Sequence, residues 1–515
     1  MPRRPSPLLT VLVIVAVVLV SALAAIGAGI TYAWQHAAVD TTGEVDFDRP
    51  LVVPPLDTGT LDARGRRVFD LRAREGSTDL GGDQPSSTWG FNGAYLGPTL
   101  RAERGDQVLV NVTNDLPATT SVHWHGMHLP ARMDGGPHQP VHPGRTWSPT
   151  WRVDQPAATL WYHPHPHGAT ADHVSRGLAG MVILGDDEEA RLGLPRTYGV
   201  DDLPAIVQDK DLRGDGGLGA GEGRTMVVNG TSGAYVDVST ERVRLRLLNA
   251  STMRVMNFRL DNDGRFDLVA SDGGLLPRSV PTDHVQLSPG ERAEVVLTFS
   301  PGETRVLRSE RPDLGGNIVS NHFDGGAASF DLLQLRAAPH LTPSTAVPDV
   351  LSTTNDDTAG RESDAVRTRL FTLNGREING RGMDMGRIDF ATNVGDTEVW
   401  TVVNESGSSH SFHVHDVQFR VLSVDGAPPP PELSGLKDTI YLRPHAVYRL
   451  LLRFDDYADA AAPYMVHCHL LRHEDQGMMA QFVVVHPGQG PDVTVAPDAA
   501  NTPAVLDPLT NTHAH

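Results

Sequence analysis

Apolar and polar positions alternate along most of the chain, and little of it carries the 3.6-residue repeat that marks helices. Three segments share one phrase: Gly105–Asn114 (GDQVLVNVTN), Glu241–Asn249 (ERVRLRLLN) and Gly395–Asn404 (GDTEVWTVVN). Each alternates as a half-buried strand does, each ends in Asn, and each is followed within about ten residues by another alternating strand. The closing asparagines are 135 residues (114 to 249) and 155 residues (249 to 404) apart, spacings that suit three β-sandwich domains. One stretch departs from this pattern. The uncharged run from Leu8 to Trp34, behind Arg3 and Arg4, is long enough to cross a bilayer once. A cleavable signal has a shorter apolar region, so the run reads as an uncleaved anchor with its N-terminus inside. The small residues at Ala22-Leu23-Ala24 leave cleavage open, and the Arg pair permits twin-arginine export.

The predicted organisation is an anchor or signal at 1–34, a linker at 35–55, and sandwiches at 56–195 and 196–338. A Pro-, Ser-, Thr- and Asp-rich linker at 339–366 follows, then a third sandwich at 367–487 and an extended or mobile tail at 488–515. A formal net charge of −20 argues against nucleic acid as a partner and fits a soluble body outside the cytoplasm. The chain has one cysteine, Cys468, so no internal disulfide forms and a metal role is favoured for the thiol.

Cys468 lies in a strand-like segment, His467-Cys468-His469, that continues through His473 and Glu474 to Met478. Alternation puts His467 and His469 on one face and Cys468 on the other, so one strand can serve two metal centres. A thiolate, the His473 imidazole and the Met478 thioether are ligand types of a blue-copper site. Ten histidines form four clusters: the pairs His123/His125, His163/His165, His413/His415 and His467/His469, with His410 and His473. All belong to the first and third repeats. The equivalent strand of the middle repeat reads Asn257-Phe258-Arg259, which leaves that sandwich as a spacer or a wall for the substrate. Eight paired imidazoles can hold three metals and leave positions open for an oxygen ligand, and the Cys-His-His-Met set favours copper over redox-inert zinc. On spacing alone, either neighbouring pair in His163-Pro-His165-Pro-His167 could bind. His128, His138, His142, His173, His284 and His445 are expected in ordinary surface or hydrogen-bonded roles.

In this combination of motifs the chain resembles the multicopper oxidase family from about residue 48 to 487. The resemblance implies an all-β chain of three cupredoxin-like Greek-key sandwiches holding four copper ions. A type 1 copper would sit on His410, Cys468 and His473 with Met478 axial, and a type 2 copper on His123 and His413. A type 3 pair would sit on His125, His163, His165, His415, His467 and His469. Trp161-Tyr162 aligns the second motif on His163 and His165, leaving His167 outside the set. The implied reaction is laccase-like: one-electron oxidation of phenols, aromatic amines or similar donors, coupled to four-electron reduction of dioxygen to water. Asp134 and Glu474 match positions where bacterial members keep proton-relay acids, although a turn-forming Asp and a solvated Glu fit the spacing equally.

Two alternatives stand beside this. A cuprous oxidase would take copper(I) as its donor. Efflux oxidases of that type carry a Met-rich insert and place Asp and Met before the first type 1 His. Here those positions are Ser406 and Ser408, and the nearby Met383 and Met385 are expected to pack. The other alternative is a non-catalytic cell-envelope protein of the same fold. The run Pro428–Pro431 and the loop through Leu436 are expected at the rim of the type 1 site.

Overall fold

The computed structural model describes residues 7–219, 221–353 and 359–492. A helix at Pro7–Ala37 precedes six sheets that pack as three cupredoxin-like Greek-key sandwiches, the architecture the alternating strands predict. The three phrases occupy one structural position. Gln107–Asn114 lies parallel to Arg67–Thr78, Arg242–Asn249 to Asp202–Leu212, and Thr397–Asn404 to Ala365–Asn374. In the first of these, every second residue from Val108 to Asn114 is buried, because a pleated strand turns alternate side chains to the core. Three apolar cores result, around Val110 and Trp124, around Leu245 and Phe258, and around Trp400 and Phe412.

The closing asparagine has the same task in each repeat. Asn114 Nδ2 donates to the Ala118 and Val141 carbonyls at 2.9 and 2.7 Å, while its Oδ1 accepts from the Leu116 N–H at 2.9 Å. Asn249 bonds Arg254, Leu287 and Ser251 in this way, and Asn404 bonds Ser408, Leu442 and Ser406. A side chain with both donor and acceptor closes the strand and ties the turn that leads into the next one.

The strands that follow differ. In the first sandwich, His123–His125 pairs with Ala158–His163, setting His163 opposite His123. In the third, His410–Val414 lies between Tyr464–Cys468 and Thr439–Leu442, setting His413 opposite both His467 and Thr439. In the second, Met256–Leu260 lies between His284–Leu287 and Thr304–Glu310, and the histidine there, His284 opposite Arg259, is exposed.

Three expectations change. Residues 35–55 are not a free tether, since Arg49–Pro50 pairs in parallel with Ala234–Tyr235 and the Leu51 N–H donates to the Tyr235 carbonyl at 2.7 Å. Extended backbone with open hydrogen-bonding groups has joined the edge of the second sandwich. Leu436 is buried rather than on a rim. Its carbonyl accepts from Ser271 Oγ and from the Gly273 N–H, both at 2.8 Å, so this loop faces the second sandwich. In the stretch expected as a linker at 339–366, strand Phe330–Thr342 continues and Leu351 is buried. Residues 354–358, and the tail from 493 onward, lie outside the described residues.

Candidate metal centre

Backbone alternation separates the two faces of Tyr464–Cys468. On one, Cys468 Sγ lies 3.4 Å from His410 Nδ1 and 3.6 Å from His473 Nδ1, and the two ring nitrogens are 3.2 Å apart. A triangle with these edges has its centre about 2 Å from each corner, the length of a bond from a transition metal to nitrogen or sulfur. The short helix Leu471–Asp475 carries His473 back toward the strand, and the Cys468 N–H donates to the carbonyl of buried Met478 at 3.1 Å. Burial pushes the Cys468 thiol up to about 12, so a metal entering this site displaces its proton. Burial also lowers His410 to about 4 and His473 to about 2, which keeps both rings neutral and their lone pairs free.

On the other face, eight imidazoles from both outer sandwiches meet in one buried cavity. Their ring nitrogens come together as His125, His163 and His469, and as His165, His415 and His467, with His123 and His413 as a further facing pair. Each remaining nitrogen indicates which atoms point inward. His123 Nδ1 lies 3.1 Å from the Asp134 carbonyl and His413 Nδ1 lies 2.9 Å from the Asp438 carbonyl. Carbonyls only accept, so both Nδ1 atoms carry the proton. The two Nε2 atoms therefore face each other at 3.4 Å as bare lone pairs. By the same reasoning His163 donates Nδ1–H to the Pro164 carbonyl and His415 donates Nδ1–H to Asp134 Oδ2, at 2.8 and 2.7 Å. His125 is turned the other way, with Nε2 at Asp438 Oδ1 and Nδ1 pointing inward, 3.4 Å from His163 Nε2. His467 Nε2 lies 3.2 and 3.3 Å from the Nε2 atoms of His415 and His165, and neither nitrogen of His469 has a hydrogen-bond partner among the described residues.

Protonation cannot relieve this convergence. Burial holds His125, His163, His413, His415 and His469 well below the ordinary imidazole value, with His165 at about 4 and His467 at about 3. Buried acceptors aimed at one another are satisfied by cations, and the donor set fits transition-metal ions.

Two acids border the cavity. Asp134 ends the turn Ala131–Met133, and Gly135, at φ +80°, folds the chain over the Val122 carbonyl with no room for a Cβ. That turn delivers Asp134 to His415 and His123, so its turn-forming role and its contact with the cavity coincide. Glu474 places its oxygens 3.3 Å from His165 Nδ1 and 3.2 Å from His467 Nδ1, at angles that leave both oxygens without a full hydrogen bond. Burial raises its pKa, which favours the protonated acid.

Sequence reasoning missed a third acid. Asp438 accepts from His125 at 3.0 Å and is clamped by Arg292 of the second sandwich, with Nη1 at 2.7 Å and Nη2 at 2.6 Å. Gly290, at φ +92°, lets the second sandwich lie against His469, where a Cβ would come 2.9 Å from the ring. The middle sandwich is therefore part of the cavity wall and more than a spacer. The signal available in the chain was a charged pair, Lys437-Asp438, set within an apolar run.

The histidines expected in ordinary roles lie outside both clusters. His173 lies 3.1 Å from Thr120 Oγ1, His142 3.0 Å from Thr119 Oγ1, and His138 bonds Gln481. Burial alone would lower His128, but the carboxylates of Asp416 and Asp456 raise it to about 9. His167, His284 and His445 are exposed.

Multicopper oxidase family models match residues 73–189, 205–329 and 343–488. A multicopper oxidase of Staphylococcus haemolyticus is 33% identical over 455 residues, covering 85% of this chain and 92% of that protein. The cell division protein FtsP of Escherichia coli is 34% identical over 447 residues, covering 85% and 93%. Among solved structures, a laccase-like multicopper oxidase, CueO, from the lignin-degrading bacterium Ochrobactrum sp. has oxidase activity towards lignin model compounds and lignosulfonate. It is 35% identical, covers 85% of this chain and 100% of its own, and has a TM-score of 0.76. With three domains matched and relatives aligned along most of its length, the chain belongs to the multicopper oxidase family.

Proposed function

We propose that this protein is a laccase-like oxidase that withdraws single electrons from phenols, aromatic amines or similar donors and reduces dioxygen to water. The observation that carries this reading is the convergence of unprotonated ring nitrogens in the cavity, one residue from the thiolate site. His410, Cys468 and His473, with Met478, would hold a type 1 copper. His123 and His413 would hold a type 2 copper, and His125, His163, His165, His415, His467 and His469 a type 3 pair. When bound, the coppers supply one-electron transfer and a place for dioxygen. Cys468 joins the two sites covalently through its peptide bonds to His467 and His469, the shortest route between them. Asp134, whose Oδ2 accepts the His415 Nδ1–H, and the Glu474 carboxyl beside His165 and His467 stand at the cavity edge, where they would relay the protons that reduction of oxygen consumes. Arg292 and Asp438 fix the ring of His125, and burial keeps bulk water from the imidazoles.

The helix Pro7–Ala37 contains an apolar stretch, Ile14–Gln35, of 22 residues, or about 33 Å at helical rise. In this reading it remains as an anchor and the sandwiches lie outside the cytoplasm.

One observation favours a second reading, oxidation of copper(I). The Met383 N–H donates to the Gly477 carbonyl at 2.8 Å, which brings the Met383-Asp384-Met385 segment beside Met478. The deciding experiment is oxygen uptake by copper-counted protein with a phenol, an aromatic amine and copper(I). Faster uptake with the organic donors is expected. A copper(I) rate far above both would reverse the order, and no uptake with any donor would favour a non-catalytic role such as the name of the FtsP relative suggests.

A further inference from the structure

The apolar helix ends against the second sandwich. Trp34 stacks on His322 with ring centroids 3.8 Å apart and planes 6° from parallel, and Phe323 meets the same indole edge-on at 5.8 Å. His322 Nε2 donates to the Trp34 carbonyl at 2.7 Å. The point where the helix leaves its apolar run is thereby tied to one short segment of the body.

That segment turns apolar side chains outward. Ile318 is 80% exposed, Val319 58% and Phe323 46%. Asn317 Oδ1 accepts from the Val319 and Ser320 N–H groups at 3.0 Å, which fixes the turn that projects them. An indole at the end of an apolar helix is the side chain that settles at a membrane–water interface, so residues touching it stand at the same depth.

The other end of the segment reaches the turn that leads into His410. The Leu314 carbonyl accepts from Tyr441 Oη at 2.7 Å, and a Cβ on Gly316 would lie 3.2 Å from Pro444 and 3.6 Å from the Gly407 carbonyl. Gly407 stands three residues before His410 in the chain. From Gly316 to Ile318 the backbone spans at most about 7 Å. The exposed apolar residues therefore lie close to the Ser406–Gly407 turn, whose Ser406 Oγ is 2.9 Å from His410 Nε2.

We propose that Ile318, Val319 and Phe323 enter the bilayer surface beside the helix, seating the second sandwich on the membrane with the His410 side of the Cys468 pocket turned toward it. The proposal rests on the anchor reading and is independent of which donor the oxidase uses. With a net charge of −20 the body gains nothing from anionic lipid, so the contact is apolar and insensitive to salt.

The test uses the full copper-loaded chain in zwitterionic lipid nanodiscs. Val319→Cys, labelled with bromobimane, is compared with Val366→Cys, an exposed position on the third sandwich; buried Cys468 does not react. The label at 319 is expected to lose roughly half its emission to lipids brominated in the acyl chain and to resist aqueous iodide, at low and high salt alike. The label at 366 should do the reverse. Intact mass reports separately on the helix. A mass lacking the N-terminal residues up to a cut within the apolar run, such as after Ala24, would overturn the anchor and the docking with it. A retained helix with equal iodide quenching at both positions would overturn the docking alone.

Discussion

The outer sandwiches and the middle one both bury polar side chains on neighbouring strands of the repeat and satisfy them in opposite ways. In the middle sandwich, the strand Arg242–Asn249 turns Val243, Leu245 and Leu247 to the core and buries Arg244 and Arg246 on its other face, against the first sandwich, where each meets an opposite charge. Arg244 Nε lies 2.8 Å from Glu294 Oε2, and Arg246 Nε lies 2.7 Å from Asp202 Oδ1. Thr159 of the first sandwich adds a 2.6 Å hydrogen bond to Glu294 Oε1. In the outer sandwiches, the strands after the repeated phrase turn imidazoles inward, and these meet one another, lone pair to lone pair. Burial of polar groups therefore does not mark a site by itself. A network that neutralises itself is structural, and a network of like acceptors is waiting for a cation. Arg292 is where the two solutions touch, because its guanidinium belongs to the middle sandwich and holds the acid behind His125.

The largest break in this contrast comes from Cys468→Ser. It should abolish the strong red-region absorption, remove about one copper per chain and reduce donor oxidation to that of copper-free protein, while the imidazole cavity keeps its metal. Metal analysis and a visible spectrum check it, and surviving absorption would remove the thiolate from the scheme. Next in size is Arg292→Met, which leaves Asp438 buried without its cation, while Asp272 keeps Lys437 at 2.9 Å. Loss of one partner from such a cluster costs about 3–5 kcal/mol. A fall of about 10 °C in thermal unfolding temperature follows. Arg292→Lys should recover only part of it, because an ammonium cannot match the two-pronged contact with Asp438. An unchanged melting temperature would mean that the middle sandwich does not support the cavity.

What could be read from the chain and what could not divide along the same line. The repeats, the closing asparagines and the four histidine pairs are local patterns, since strand alternation and ligand spacing are set within a few residues. Asp438, Arg292 and Gly290 act across sandwich boundaries. Arg292 and Asp438 are 146 residues apart, and nothing in either neighbourhood says that they meet. Leu436 failed as a rim residue for the same reason, since its surroundings come from the second sandwich. The segment 35–55 misled through composition. A two-residue strand pairing leaves no period to detect.

The ion-pair side of the contrast is tested by acid. Burial alone would raise Glu294, but Arg244 and Arg246 hold it at about 2, below the ordinary value near 4.5. A depressed folded pKa means that the contribution is present above about 4.5 and lost as pH falls through about 2, with a size of about 3 kcal/mol. The stability difference between the wild-type chain and Glu294→Gln should be constant above pH 5 or so and narrow steadily below it. Chemical denaturation at several pH values measures this, and a gap that does not change with pH would assign the loss to packing.

The smallest effect expected is also the most selective. Asp134→Asn keeps an oxygen that can accept from His415 Nδ1, now at 2.7 Å from Asp134 Oδ2, so the ring stays in its present orientation. It removes only the ability to carry a proton. Water formation should slow about a hundredfold, which corresponds to about 2.7 kcal/mol of barrier. Copper content, the visible spectrum and reduction of the thiolate site by donor under anaerobic conditions should not change. Parallel loss of all four would show that Asp134 serves the turn before Gly135 and nothing more. A slowed oxygen step with the other three intact would separate the acid at the cavity edge from the self-neutralised acids of the middle sandwich, which have arginine partners and no proton to give.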